Sequence, residues 1–80
     1  MAGQIRMTPE TMRLRARETD KHAETVQNVI NAMDKLLVTL KAEWEGEAIV
    51  GYEARYNAIK PSFKNAKDLL DEIAHNLRET

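Results

Sequence analysis

The chain has 80 residues, 12 basic and 13 acidic side chains for a net charge of −1, and no cysteine. That length holds one domain with a small core, and disulfides and thiolate metal sites are excluded, so association is the expected source of further buried surface. The balanced charge gives no general attraction for nucleic acid or anionic membrane, and no apolar run reaches the length of a membrane span or of a cleavable signal's core.

After a short polar lead, Thr8-Pro9-Glu10 specifies a helix start. Thr8 is suited to the N-cap, Pro9 to the first helical position and Glu10 to the positive end of the helix dipole. Met7 and Met12 have the spacing of a hydrophobic staple. Arg15 points largely away from Arg13 and Arg17, acidic residues lie nearby, and the cluster reads as a solvated face. Met12, Ala16, Thr19, Ala23, Val26, Ile30, Met33, Leu37, Leu40 and Trp44 then follow an unbroken 4-3 rhythm. This is a heptad seam, weak at first and strongly apolar later. The predicted helix runs from about residue 9 to 43 and is roughly 50 Å long at about 1.5 Å per residue. Val29 and Leu36 widen its apolar face, which predicts a second neighbour.

Trp44-Glu45-Gly46 interrupts the rhythm, and a turn is expected over about 44–47. Glycine past a long periodic run is suited to a left-handed helix cap, because it lacks the Cβ that makes that conformation costly. Trp44 has two readings, as a plug at the end of the core or as a recognition surface. A second helix is expected over about 48–79, with Ile49, Tyr52, Tyr56, Ile59, Phe63, Ala66, Leu70, Ile73 and Leu77 in a 3-4 rhythm. No capping side chain marks its start. Pro61 removes a hydrogen bond to the Asn57 carbonyl and predicts a kink rather than a stop, since the rhythm continues through it.

Two long helices joined by a tight turn pack antiparallel. The expected fold is therefore all-α: a single-domain hairpin over residues 1–80 that pairs into a four-helix bundle dimer. Val26, Ile30, Met33, Leu37, Leu40, Ile59, Phe63, Leu70 and Ile73 are the expected hairpin and dimer seam.

No catalytic or metal constellation accompanies this pattern. Glu18–His22 and Asp71–His75–Glu79 have helical spacing suited to surface ion pairs. No serine or threonine is set beside His and Asp as a nucleophile, and no Gly-rich loop follows a strand. Neither a cofactor nor enzyme activity is expected.

A Trp-x-Gly turn between two heptad helices resembles the WXG family of small type VII secretion proteins, the ESAT-like or Esx proteins of bacteria. Met7-Thr8-Pro9-Glu10 is similar to the family's entry to its first helix. Gly46-Glu47-Ala48, followed by Tyr52 and Tyr56, is similar to its entry to the second. Ile59-Lys60-Pro61-Ser62-Phe63, leading into Leu69-Leu70-Asp71-Glu72-Ile73, resembles the Firmicute branch. The resemblance implies a secreted, virulence-associated binding protein that works as a homodimer or with a related hairpin. It also implies export by an FtsK/SpoIIIE-type membrane ATPase without a cleaved signal peptide. Trp44, Glu45 and Gly46 are then the recognition motif.

The chain departs from the family where a Tyr-x-x-x-Asp/Glu export signal is usual, because Tyr52 leads to Tyr56 and Tyr56 to Lys60. The seam is still running at the last residues, and His75 to Glu79 is similar to the start of a late family pattern. The expectation is a truncated chain or a tail supplied by a partner. The alternative functions are a cytoplasmic targeting partner for the helical N-terminal region of a larger toxin, or a plain coiled-coil adaptor.

Overall fold

The computed structural model describes residues 7–79. Helix α1 spans Pro9–Glu43 and helix α2 spans Glu47–Glu79, and there is no strand among the described residues. The start of α1 is capped as its sequence demands. Thr8 is extended, and its side-chain oxygen accepts the Thr11 amide at 3.1 Å while its carbonyl accepts the Met12 amide at 2.9 Å. One of the amides that lack a helical partner is thereby satisfied, and the Met12 bond begins the helical ladder.

The turn differs from the left-handed cap expected at Gly46. Helix α1 closes on Trp44, an extended residue (φ −124°, ψ 114°) whose amide donates to the Leu40 carbonyl at 2.7 Å. Gly46 instead stands immediately before Glu47, at φ +130°. Nothing lies within 4 Å of where its Cβ would be, so the backbone angle and not crowding calls for glycine. Glycine is also acceptable at a helix N-cap, which accounts for α2 starting without a Ser, Thr, Asp or Asn. Helix α2 continues through Pro61 without interruption.

The helices lie antiparallel in a rod of 58 × 21 × 15 Å. Its radius of gyration is 18.2 Å, against about 12 Å for a compact domain of this length. The interior is accordingly one interhelical seam. From α1 it takes Met12, Ala16, Ala23, Ile30 and Leu37 as buried residues, with Thr19, Val26, Met33 and Leu40 half-buried between them. Thr19 is accommodated because its hydroxyl donates back to the Arg15 carbonyl at 2.7 Å.

The seam is graded. Near the turn, Leu37, Ile49 and Tyr56 form the core cluster, with Met33 and Leu40 packed against it. Toward the open end, Ala16, Ala23 and Ala74 are almost completely buried. Alanines at those positions leave little room for anything larger between the helices.

In α2 the continuous 3-4 series divides in two. Ile49 and Tyr56 are buried and Leu70 and Leu77 half-buried, while Tyr52, Ile59, Phe63, Ala66 and Ile73 are exposed, and Ala74, outside the series, is buried. The positions between the inward apolar residues are filled by Glu53, Lys60 and Lys67, all half-buried. Long charged side chains can lay their methylene stems along an apolar seam and keep their heads at its edge.

Ile30→Ala is expected to cost about 2–5 kcal/mol through the cavity it leaves. Ala23→Leu is expected to cost about 1–3 kcal/mol by overpacking the narrow end. Urea titrations followed by helical circular dichroism check both, each appearing as a lowered midpoint.

Candidate protein-binding surface

The hairpin has two unlike flanks, and the seam's own spacing creates them. On α1, the residues following the seam positions include Asp20, Asp34 and Lys41, and each makes an ion pair with α2. Asp20 pairs with Arg78 at the open end, Asp34 with Lys60 in the middle, and Lys41 with Glu53 at 3.0 Å near the turn. These three pairs hold the helices in register along one polar flank.

The middle pair belongs to a polar cluster. The Tyr56 hydroxyl donates to Asp34 Oδ1 at 2.9 Å and lies 3.2 Å from the Ile30 carbonyl, which also accepts from it. Lys60 Nζ reaches both Asp34 oxygens at 3.0 Å and lies 5.9 Å from the centre of the Tyr56 ring. Tyr56 therefore buries its ring without leaving its hydroxyl unpaired.

The Lys60 ammonium, and then the Tyr56 hydroxyl, hold the Asp34 carboxyl below its ordinary value of 3.8. The hydrogen bond from Arg78 does the same for Asp20. Burial, and then the neighbouring Asp34, push the Tyr56 phenol above its ordinary value of 10.0.

The other flank is apolar. Here lie the residues immediately before seam positions: Val29 and Leu36 on α1, and Tyr52, Ile59, Ala66 and Ile73 on α2. In an antiparallel pair these preceding stripes border the same side of the seam. Every one of the six is exposed, Val29 by 49% and Ile59 by 51%. Phe63, on the seam itself, is 37% exposed. A contiguous apolar strip of this kind is unusual on a surface that meets only water.

At the turn end the strip meets the Trp44-Glu45-Gly46 motif. All three residues are exposed, Trp44 by 41%, and the Trp44 ring lies 6.0 Å from that of Tyr52 at a 52° tilt. Trp44 is thus outside the core cluster, propped by an aromatic neighbour at the tip of the rod.

The residues read from the sequence as seam separate in space. Ile30 and Leu37 are buried, and Val26, Met33, Leu40 and Leu70 half-buried, whereas Ile59, Phe63 and Ile73 face outward. Sequence reasoning missed the Asp34–Tyr56–Lys60 cluster. A signal for half of it was present, because Asp20, Gln27, Asp34 and Lys41 recur every seventh residue beside the seam.

The concavities are shallow. A groove of about 390 Å³ runs past Asn57, Lys60, Pro61, Lys64, Asn65 and Asp68, and a smaller one lies at Ala48, Gly51, Tyr52 and Arg55. Among the described residues no group of three or more His, Asp or Glu side chains could hold a metal, and no helix is long and apolar enough to cross a membrane.

A rod-shaped antiparallel hairpin with one apolar flank and an exposed tryptophan at its tip defines a class of small helical-hairpin proteins. The sequence places it more narrowly. The chain belongs to the WXG100 family, whose model, described as proteins of 100 residues with WXG, matches residues 4–80. It is similar to protein YukE of Bacillus subtilis strain 168, with 34% identity over 80 residues, covering all of this chain and 82% of that protein. It is also similar to the type VII secretion system extracellular protein A of Staphylococcus aureus strain USA300, at 24% identity over 76 residues, covering 95% and 78% of the two. The crystal structure of Geobacillus thermodenitrificans EsxA superposes with a TM-score of 0.90 at 34% identity, covering 99% of this chain and 85% of that one.

The shifted groups set a pH dependence. Carboxyls held below their ordinary value bind fewer protons in the folded chain than in the unfolded one. Their contribution is complete above pH 3.8 and is lost as pH falls through the folded values of Asp20 and Asp34. Tyr56 contributes at the other limit, where stability is lost as pH rises above 10.0 and the phenol ionises. Urea midpoints measured across pH should stay level through neutrality and fall below 3.8, with Asp34→Asn shallower on the acid side.

Proposed function

We propose that this protein is a substrate or partner of a type VII secretion system and works by binding another helical chain. The carrying observation is the apolar strip, Val29, Leu36, Tyr52, Ile59 and Ile73, left exposed along one flank of the hairpin. Family membership and similarity to a type VII extracellular protein give that binding its setting. The partner is a second copy or a related hairpin, and the product is a four-helix bundle in which the wide apolar faces of α1 and α2 cover one another. Of the residues assigned to the seam, Val26, Ile30, Met33, Leu37, Leu40 and Leu70 serve the hairpin, and Ile59, Phe63 and Ile73 the contact between chains.

Trp44, Glu45 and Gly46 then serve as the recognition element, because they stand at the end of the rod and not within it. An FtsK/SpoIIIE-type ATPase is the partner proposed for that end. The protein leaves the cell by this route.

Trp44→Ala tests the assignment. With Trp44 41% exposed and its ring paired with that of Tyr52, its loss should cost about 1 kcal/mol, the scale of a surface aromatic pair, and leave a cooperative melt. Export into the medium by a strain with an active type VII system should be abolished. Collapse of the fold would return Trp44 to the core. Normal export of the variant would remove it from recognition. Retention of the native chain in the cytoplasm as a 1:1 complex with a larger toxin would move the assignment to a targeting partner.

A further inference from the structure

Pro61 weakens the helix it stands in. Helix α2 runs through it unbroken, yet its ring nitrogen has no hydrogen to give the Asn57 carbonyl, and its ring crowds that turn. The residue is exposed and takes no part in the core cluster. An ordinary helix former at this place would serve the hairpin better. A residue that breaks a local rule with no return in packing is expected at a functional position.

Pro61 lines the larger of the two grooves, about 390 Å³, together with Asn57, Lys60, Lys64, Asn65 and Asp68. Ligand sites occupy roughly 300–1,000 Å³, so the groove suits a small ligand or a short segment of chain. Apart from the proline its lining is wholly polar. Lys60 is engaged with Asp34. The side chains of Asn57, Lys64, Asn65 and Asp68 make no hydrogen bond or ion pair among the described residues, although Lys64 and Asp68 stand one helical turn apart. The groove therefore collects a main-chain acceptor without its helical donor, two amides that both give and accept, a free ammonium and a free carboxylate. Residues 55–67 around it include Arg55, Lys60, Lys64 and Lys67 and no acidic residue, in a chain of net charge −1.

We propose that this groove binds an extended acidic peptide segment of a partner protein. An acidic side chain of the segment meets the Lys64 ammonium, with Lys60 beside it. A main-chain N–H of the segment donates to the freed Asn57 carbonyl. The Asn57 and Asn65 amides pair with the peptide groups on either side, since each offers the donor and the acceptor that a peptide group needs. Asp68 accepts from a further N–H and repels a second acidic side chain, which gives the segment a direction. From Asn57 to Asp68 the helix rises about 16 Å, the length of about five extended residues. A bare anion would use the ammoniums alone, leave the freed carbonyl unanswered and face the Asp68 carboxylate. Lys60 belongs to the polar flank, so the groove stays open whatever covers Val29 and Ile59, and the site does not depend on how the protein pairs.

The probe is the capped peptide Gly-Gly-Asp-Gly-Gly, titrated into the full isotope-labelled chain and followed by amide resonances in solution. Shifts should concentrate in residues 57–68 and saturate with a dissociation constant of about 1 mM. Lys64→Gln should weaken binding about tenfold by removing the charged partner. Pro61→Ala should weaken it about tenfold as well, because the new amide takes the Asn57 carbonyl back into the helix. The same variant should raise the urea midpoint of the hairpin, which separates lost binding from lost folding. The proposal is overturned if Gly-Gly-Asn-Gly-Gly binds as well as the acidic peptide, or if inorganic phosphate shifts the same resonances as strongly. It is overturned equally if Lys64→Gln or Pro61→Ala binds undiminished, or if none of residues 57–68 responds.

Discussion

Tyr56 is the side chain through which the two helices hold each other. Its ring completes the core cluster with Leu37 and Ile49, and its hydroxyl crosses to the Ile30 carbonyl and Asp34 of the opposite helix. Lys60, one helical turn further, closes on the same carboxylate. An apolar seam between two smooth helices tolerates sliding, because one methyl replaces another at little cost. A buried hydroxyl and a shared carboxylate do not, because a slip leaves them without partners. The cluster therefore sets a register that the apolar contacts alone leave loose, and the pairs Asp20–Arg78 and Lys41–Glu53 extend it toward both ends.

From that register follows the division into a polar flank and an apolar one. The charged residues that α2 turns inward, Glu53 and Lys60, are useful there only because Lys41 and Asp34 stand opposite. With those positions committed to the hairpin, Tyr52, Ile59 and Ile73 are rotated outward beside Val29 and Leu36. The exposed apolar flank is thus a consequence of how the hairpin places its charges. The open end makes the same point with alanines: Ala16, Ala23 and Ala74 allow a close approach but bury little area. Covering the outer flank is a direct way for so thin a rod to gain apolar burial.

The turn is built differently from a simple helix cap, and the difference has a use. Because α1 ends on an extended Trp44 and the positive φ falls at Gly46, the indole projects from the tip and leans on Tyr52 instead of folding into the seam. The Trp-x-Gly spacing then has a structural reason. The aromatic ends one helix, one residue spans the corner, and the glycine supplies the backbone angle from which the next helix starts.

Helix existence, the capped start at Thr8 and Pro9, the location of the turn and the α1 seam from Met12 to Leu40 were all legible in the residues, whereas Trp44, which continues the same rhythm, stands outside it. Each depends on interactions a few positions apart, and on α1 the longest apolar rhythm is also the inward one. The family resemblance was legible too, since Trp44 and Gly46 lie adjacent in the chain. The inward face of α2 was not legible. A 3-4 apolar rhythm marks a broad face but cannot say which of its two neighbouring stripes meets the partner helix, and the stripe that does carries Glu53, Lys60 and Lys67. Only pairing with Lys41 and Asp34 across the hairpin makes Glu53 and Lys60 acceptable inside and sends Ile59 and Ile73 out, while Lys67 pairs with Asp71 on its own helix. That choice is made by contacts between residues far apart in sequence, and it belongs to the tertiary structure.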